Sequence, residues 1–204
     1  MSGGVLIAFG IAVIVLALAG QHTVKTELNQ QQIVGTPDMN PTDIQKSAAA
    51  AGLKDVKLPT CDVAGKPINS GQRARCFAQY MNIHALEATG GFVYSEMGQF
   101  QAKAGAPKSQ LAPGGGTNNP TYAEVDPTTG KPVANGARNV WVTETALSTA
   151  LNMSYMATQL SLFSLVVGVA LLLAGVGFIV LAIAALGQPG TKPAPVEGAA
   201  PAPA

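Results

Sequence analysis

Four residues hold most of the chemistry open to this 204-residue chain: Cys61, Cys76, His84 and Glu87. Cys61 and Cys76 are its only cysteines. A lone pair at this spacing fits one disulfide formed in an oxidising compartment. The alternatives are two free thiols, or half of a metal site that would have to recruit His22 or His84. Pairing the cysteines removes the free thiol that a cysteine nucleophile needs. His84 and Glu87 stand three residues apart, a spacing that on one helix face allows a general acid–base couple. Zinc and non-haem iron sites want two histidines plus a carboxylate, or a Cys/His cluster at short spacing. Here the two histidines are 62 residues apart and neither has a ligand-spaced neighbour. No G-x-S-x-G elbow occurs. Gly114-Gly115-Gly116 leads into Thr-Asn-Asn-Pro and not into a lysine and a helix, so it reads as a flexible hinge and not as a phosphate loop. The expectation is a chain with no catalytic residue, no metal and no cofactor.

The elements that must position these residues show in the charge pattern. Charged residues make up 11% of the chain against 48% hydrophobic, with a net charge of +1 and a mean hydropathy of +0.27. A soluble domain averages about 25% charged residues. Twelve basic against eleven acidic side chains leave no surplus to neutralise phosphates, which argues against a nucleic-acid partner.

The first charge met is Lys25, and residues 4–20 form an apolar run from Gly4 to Gly20. After Glu144 no charge appears until Lys192, and from Leu162 to Leu186 the only polar residue is Ser164. At about 1.5 Å per residue this second run spans roughly 37 Å, enough to cross a hydrocarbon core with some tilt. In lipid, both runs satisfy their own backbone only as helices. The pattern predicts an all-α membrane protein with two transmembrane helices, at 4–20 and 161–187. A secretory signal is the rival for the first run, since Ala17-Leu18-Ala19 suits a cleavage site, but no Lys or Arg precedes the run. Neither span holds Asp, Glu, Lys, Arg or His, so a proton or ion path through them is not expected. Small residues do line them: Ala8, Ala12 and Ala19 in the first, and Gly168, Gly175 and Ala182 at seven-residue spacing in the second. Such stripes serve close helix packing, between the two spans or on a partner.

The Lys/Arg bias is too even to orient the chain. The cysteine pair places residues 21–160 in an extracytoplasmic, loop-rich helical segment, with both termini in the cytoplasm. Within that segment the first helix should continue over 21–34, a short helix should open at Asn40-Pro41 and run to Ala51, and a longer one should cover Gln72 to Thr89. On the longer helix Phe77, Tyr80, Met81, His84 and Ala88 share a face. Gly90-Gly91 ends it, with a short helical continuation expected over Phe92 to Ala104. Residues 105–138 read as a flexible loop with a hairpin at Asp126-Pro127-Thr128-Thr129-Gly130. From Asn139 a stem striped by Val140, Glu144, Leu147, Leu151, Tyr155 and Thr158 should run straight into the second span and bury its stripe against the 72–89 helix and the outward extension of the first span. Residues 188–204, rich in Pro and Ala, should be disordered.

The string Asn82-Ile83-His84-Ala85-Leu86-Glu87-Ala88-Thr89-Gly90-Gly91, the Tyr94-Ser95-Glu96 that follows, and the long second helix resemble small actinobacterial two-span membrane proteins. Many of these carry the label "aromatic ring-opening dioxygenase". The shared pattern is the His-x-x-Glu-x-Thr-Gly-Gly patch ahead of the long helix, and the likeness covers about half of the chain. The Pro/Gly-rich stretch 105–138 and the proline tail depart from the shorter members. In size and topology the chain is also similar to accessory subunits of respiratory supercomplexes, an analogy of architecture alone. The function expected from all this is a non-catalytic membrane accessory, assembly or stabilising subunit of a larger membrane complex, which the architectural analogy implies is respiratory, with other membrane subunits and the bilayer as partners. The candidate interface comprises Phe77, Met81, His84, Glu87, Leu147, Leu151, Tyr155, Gly168, Gly175 and Ala182. The alternatives are a membrane-anchored enzyme using His84 and Glu87, and a homo-oligomeric membrane protein.

Overall fold

A computed structural model describes residues 2–187; the proline-rich tail lies outside the described residues. Four α-helices follow in order: α1 (Ser2–Gln30), α2 (Pro41–Ala50), α3 (Gly71–Ala88) and α4 (Gly136–Leu186). Among the described residues there are isolated β-bridges but no strands. Both α1 and α4 are long and apolar enough to cross a membrane. The described residues divide into two compact units, one of residues 2–15 with 164–187 and the other of residues 16–163.

In the first unit the ends of α1 and α4 run antiparallel at glycine contact. A Cβ added to Gly10 would lie 2.8 Å from the Gly168 carbonyl oxygen, and one added to Gly3 would lie 2.7 Å from that of Gly175. All four glycines are buried. The seven-residue spacing on α4 meets the same spacing on α1, which keeps two glycine pairs in register. The contact with α4 is not made by the alanines of the α1 stripe: Ala8 and Ala12 are exposed, as is Ala19 on the same helix. A glycine brings the two backbones closer than an alanine allows, so Gly3 and Gly10 set the register. Ala182, the third small residue of the α4 stripe, is exposed.

The second unit holds the core. Asn40 caps α2, its side-chain oxygen accepting from the Thr42 and Asp43 amides, with Pro41 in the first turn. Ser70 caps α3 by accepting from the Arg73 amide. Tyr80, Ile83, Ala74 and Phe77 of α3 are buried together with Ile44 of α2, Met39, Val63 and Ile68. The buried arc of α3 is wider than the predicted face. Met81 and His84 are only half-buried and Ala88 is exposed, whereas Ala74, Ala78, Ile83 and Ala85 are buried. The cause is packing from two sides, by α2 and its flanking loops and by the stem. At the stem, a Cβ on Gly71 would fall 2.9 Å from the Ser154 carbonyl oxygen. Arg75 stacks over the Tyr155 ring at 4.6 Å.

One expectation between α3 and α4 is corrected. The helix predicted over Phe92 to Ala104 is one 3-10 turn at Tyr94–Glu96, after which the chain pairs at long range. The Gly98 amide donates to the Gly115 carbonyl, Phe100 exchanges amide bonds with Thr117, and the Gln101 amide donates to Val133. Gly98 has no room for a side chain, since a Cβ there would sit 2.1 Å from the Thr117 nitrogen. Across residues 105–138, up to the start of α4 at Gly136, the loop carries bridges from Phe100 to Thr117 and Ala134 and from Ala102 to Ala123. The turn at Asp126 is present: its carboxylate accepts from the Thr128 and Thr129 amides, and Val125 bridges Pro132. Trp141 ties this lobe to α4 by donating its indole N–H to the Phe92 carbonyl at 2.9 Å.

Candidate functional site

Cys61 and Cys76 are joined, with sulfurs 2.07 Å apart and Cα atoms 6.1 Å apart. The bond anchors the loop before α3 to its second turn. The buried Tyr80, one turn further on, donates its hydroxyl to the Cys61 carbonyl at 2.5 Å. Burial pushes the Tyr80 phenol above its usual range, with the Asp62 and Asp38 charges acting the same way.

His84 and Glu87 lie on one stretch of α3 but turn to different partners. His84 Nε2 approaches Asp38 Oδ2 at 2.9 Å, off the axis of an aligned hydrogen bond. Glu87 Oε1 accepts from the Ser47 hydroxyl of α2 at 2.6 Å. Asp38 is held below the ordinary carboxylate range, first by the Thr36 hydroxyl and further by its own amide and His84, against an opposing effect of burial. These contacts, 46 and 40 residues apart in sequence, fasten α2 and the turn before it to α3. An acid–base couple would need the two side chains to share one substrate position; their observed partners draw them to separate ones.

Two clefts flank the contact between α3 and α4. One, of about 440 Å³, is lined mainly by apolar groups, among them Met81, Ala85 and Val140, with His84 and Glu144 on its wall. The other, of about 600 Å³, is lined chiefly by polar groups of the 57–60 loop, α3 and α4. Glu144 borders both clefts and is 6% exposed. Of the other predicted interface residues, Phe77 and Leu151 are buried in the core and Leu147 is packed against it. Tyr155 lies under Arg75, and Gly168 and Gly175 face Gly10 and Gly3.

Sequence reasoning passed over Asp38 and Ser47, whose partners are distant in the chain. It assigned no chemistry to Glu144, although an acid within the apolar stripe of an amphipathic helix is a readable signal. Among the described residues no group of three or more His, Cys, Asp or Glu is placed to hold a metal ion. No family model, no curated protein and no solved structure matches the chain.

Proposed function

We propose that this chain is a non-catalytic subunit that sits in a membrane by α1 and α4 and stabilises or assembles a larger membrane complex. The single observation that carries the reading is the fate of the two residues with catalytic chemistry: His84 and Glu87 are engaged with Asp38 and Ser47 in holding α2 on α3. Large apolar side chains such as Phe9, Leu173, Phe178 and Ile183 stay exposed on the membrane-length helices, which suits lipid and a neighbouring subunit. In this account residues 21–160 lie outside the cytoplasm, where the Cys61–Cys76 bond is stable.

Two variants separate the subunit from an enzyme. His84→Gln keeps a donor within reach of Asp38 and should leave recovery of the complex and the cellular role intact. Met81→Asp places a second carboxylate on the cleft wall that already holds Glu144 and should displace α3 and lose the complex. Loss of the cellular role in His84→Gln, with the complex still recovered, would establish catalysis at His84 and refute the proposal.

A further inference from the structure

The larger cleft carries a feature that the subunit role does not use. Glu144 is nine-tenths buried at its wall, and among the described residues its carboxylate accepts only from hydroxyls: Ser148 at 2.6 Å on one oxygen and Thr145 at 3.5 Å on the other. No Lys, Arg or His nitrogen lies within 4.0 Å of it among the described residues. Buried carboxylates are ordinarily matched by a cation, because hydroxyls alone do not replace the lost hydration. A carboxylate also offers about four acceptor positions, so room remains for an ammonium group.

The rest of the lining narrows the ligand. The side-chain amides of Gln79, Asn82 and Asn152 present donors and acceptors together, as a peptide backbone requires. Leu58, Pro59 and Ala78 supply a small apolar surface. Lys57, exposed and without an ion-pair partner among the described residues, lies on the loop wall. No aromatic ring lines the cleft, which removes the usual platform for a sugar or a base. The cleft's roughly 600 Å³ falls in the range of small-ligand sites.

We propose that this cleft binds a short peptide through its free amino terminus, with the ammonium seated on Glu144, the backbone hydrogen-bonded by the three carboxamides and the carboxylate end toward Lys57. The inference stands apart from the subunit reading, and either can fail alone. The test uses the full chain in detergent and titrates three probes by calorimetry: trialanine, N-acetyl-trialanine and trialanine amide. Trialanine should bind, acetylation should weaken binding at least tenfold, and amidation should weaken it less. Glu144→Gln, which keeps the shape and can still accept from Ser148, should reduce trialanine to the level of its acetylated form. Lys57→Ala should erase the difference between trialanine and its amide. If Glu144→Gln lowers the thermal midpoint too far to be titrated, the exposed Asn152→Ala is measured instead and should weaken all three probes several-fold. Failure of trialanine to bind, equal binding of the acetylated probe, or unchanged binding in these variants overturns the proposal.

Discussion

Replacing Gly175 with leucine should separate α1 from α4, whereas the same change two residues away at Gly177 should not. A Cβ at Gly175 would fall 2.7 Å from Ile7 Cγ1, 2.8 Å from the Gly3 carbonyl oxygen and 3.1 Å from the Ile7 nitrogen. Ordinary contact between carbon atoms is about 3.5–4.0 Å, so even a methyl group asks for a shift of roughly half an ångström or more. The Ile7 side chain can rotate away, but the Gly3 carbonyl belongs to helix backbone and must move with α1. Leucine adds three further carbons, and overpacking of this kind costs about 1–3 kcal/mol. Gly177 has nothing within 4 Å of its added Cβ, and Gly→Leu carries the same gain in helix propensity at both sites. The difference between the two variants therefore isolates the interface. Unfolding in mixed micelles of dodecylmaltoside and SDS should place Gly175→Leu about 1–3 kcal/mol below Gly177→Leu. Equal stabilities would refute the glycine-set register.

Two other perturbations probe the second unit. Changing both Cys61 and Cys76 to serine opens a loop with a sequence separation of 15, which should cost about 3 kcal/mol by chain entropy; limited proteolysis should then cut between Pro59 and Gly71, and an unchanged digest would show the bond to be idle. Tyr80→Phe removes the hydroxyl bonded to the Cys61 carbonyl and should cost about 1 kcal/mol at neutral pH. Because the folded-state phenol is raised above its ordinary 10.0, its stabilisation is complete below that pH and declines as the pH climbs toward the folded value; denaturation curves at rising pH should show this decline in the parent and not in the variant.

The helices were legible where one short-range rule decided them. Charge-free runs gave α1 and the end of α4, and the Asn40-Pro41 signal gave α2. Between Phe92 and Asn135 the turn at Asp126 was legible and most of the rest was not, because those residues are placed by pairing with partners distant in the chain and not by their neighbours. Gly98 against Gly115 and Gln101 against Val133 are examples, and nothing in local sequence specifies such partners. Which small residues of α1 meet α4 was not legible for a related reason: alanine and glycine are both small, and which of them faces α4 depends on the crossing. At the candidate site the type and spacing of His84 and Glu87 suggested a couple. Their actual partners, Asp38 and Ser47, come from a turn and a helix that only the folded unit brings alongside.

The central claim is that this chain works as one component of a larger membrane assembly. Native mass spectrometry of the chain extracted from its own membranes in a mild detergent tests it most directly. The account predicts a species containing the chain at fixed stoichiometry with at least one different subunit, lost in Met81→Asp and kept in His84→Gln. A mass equal to the lone chain, or to whole multiples of it, would contradict the account.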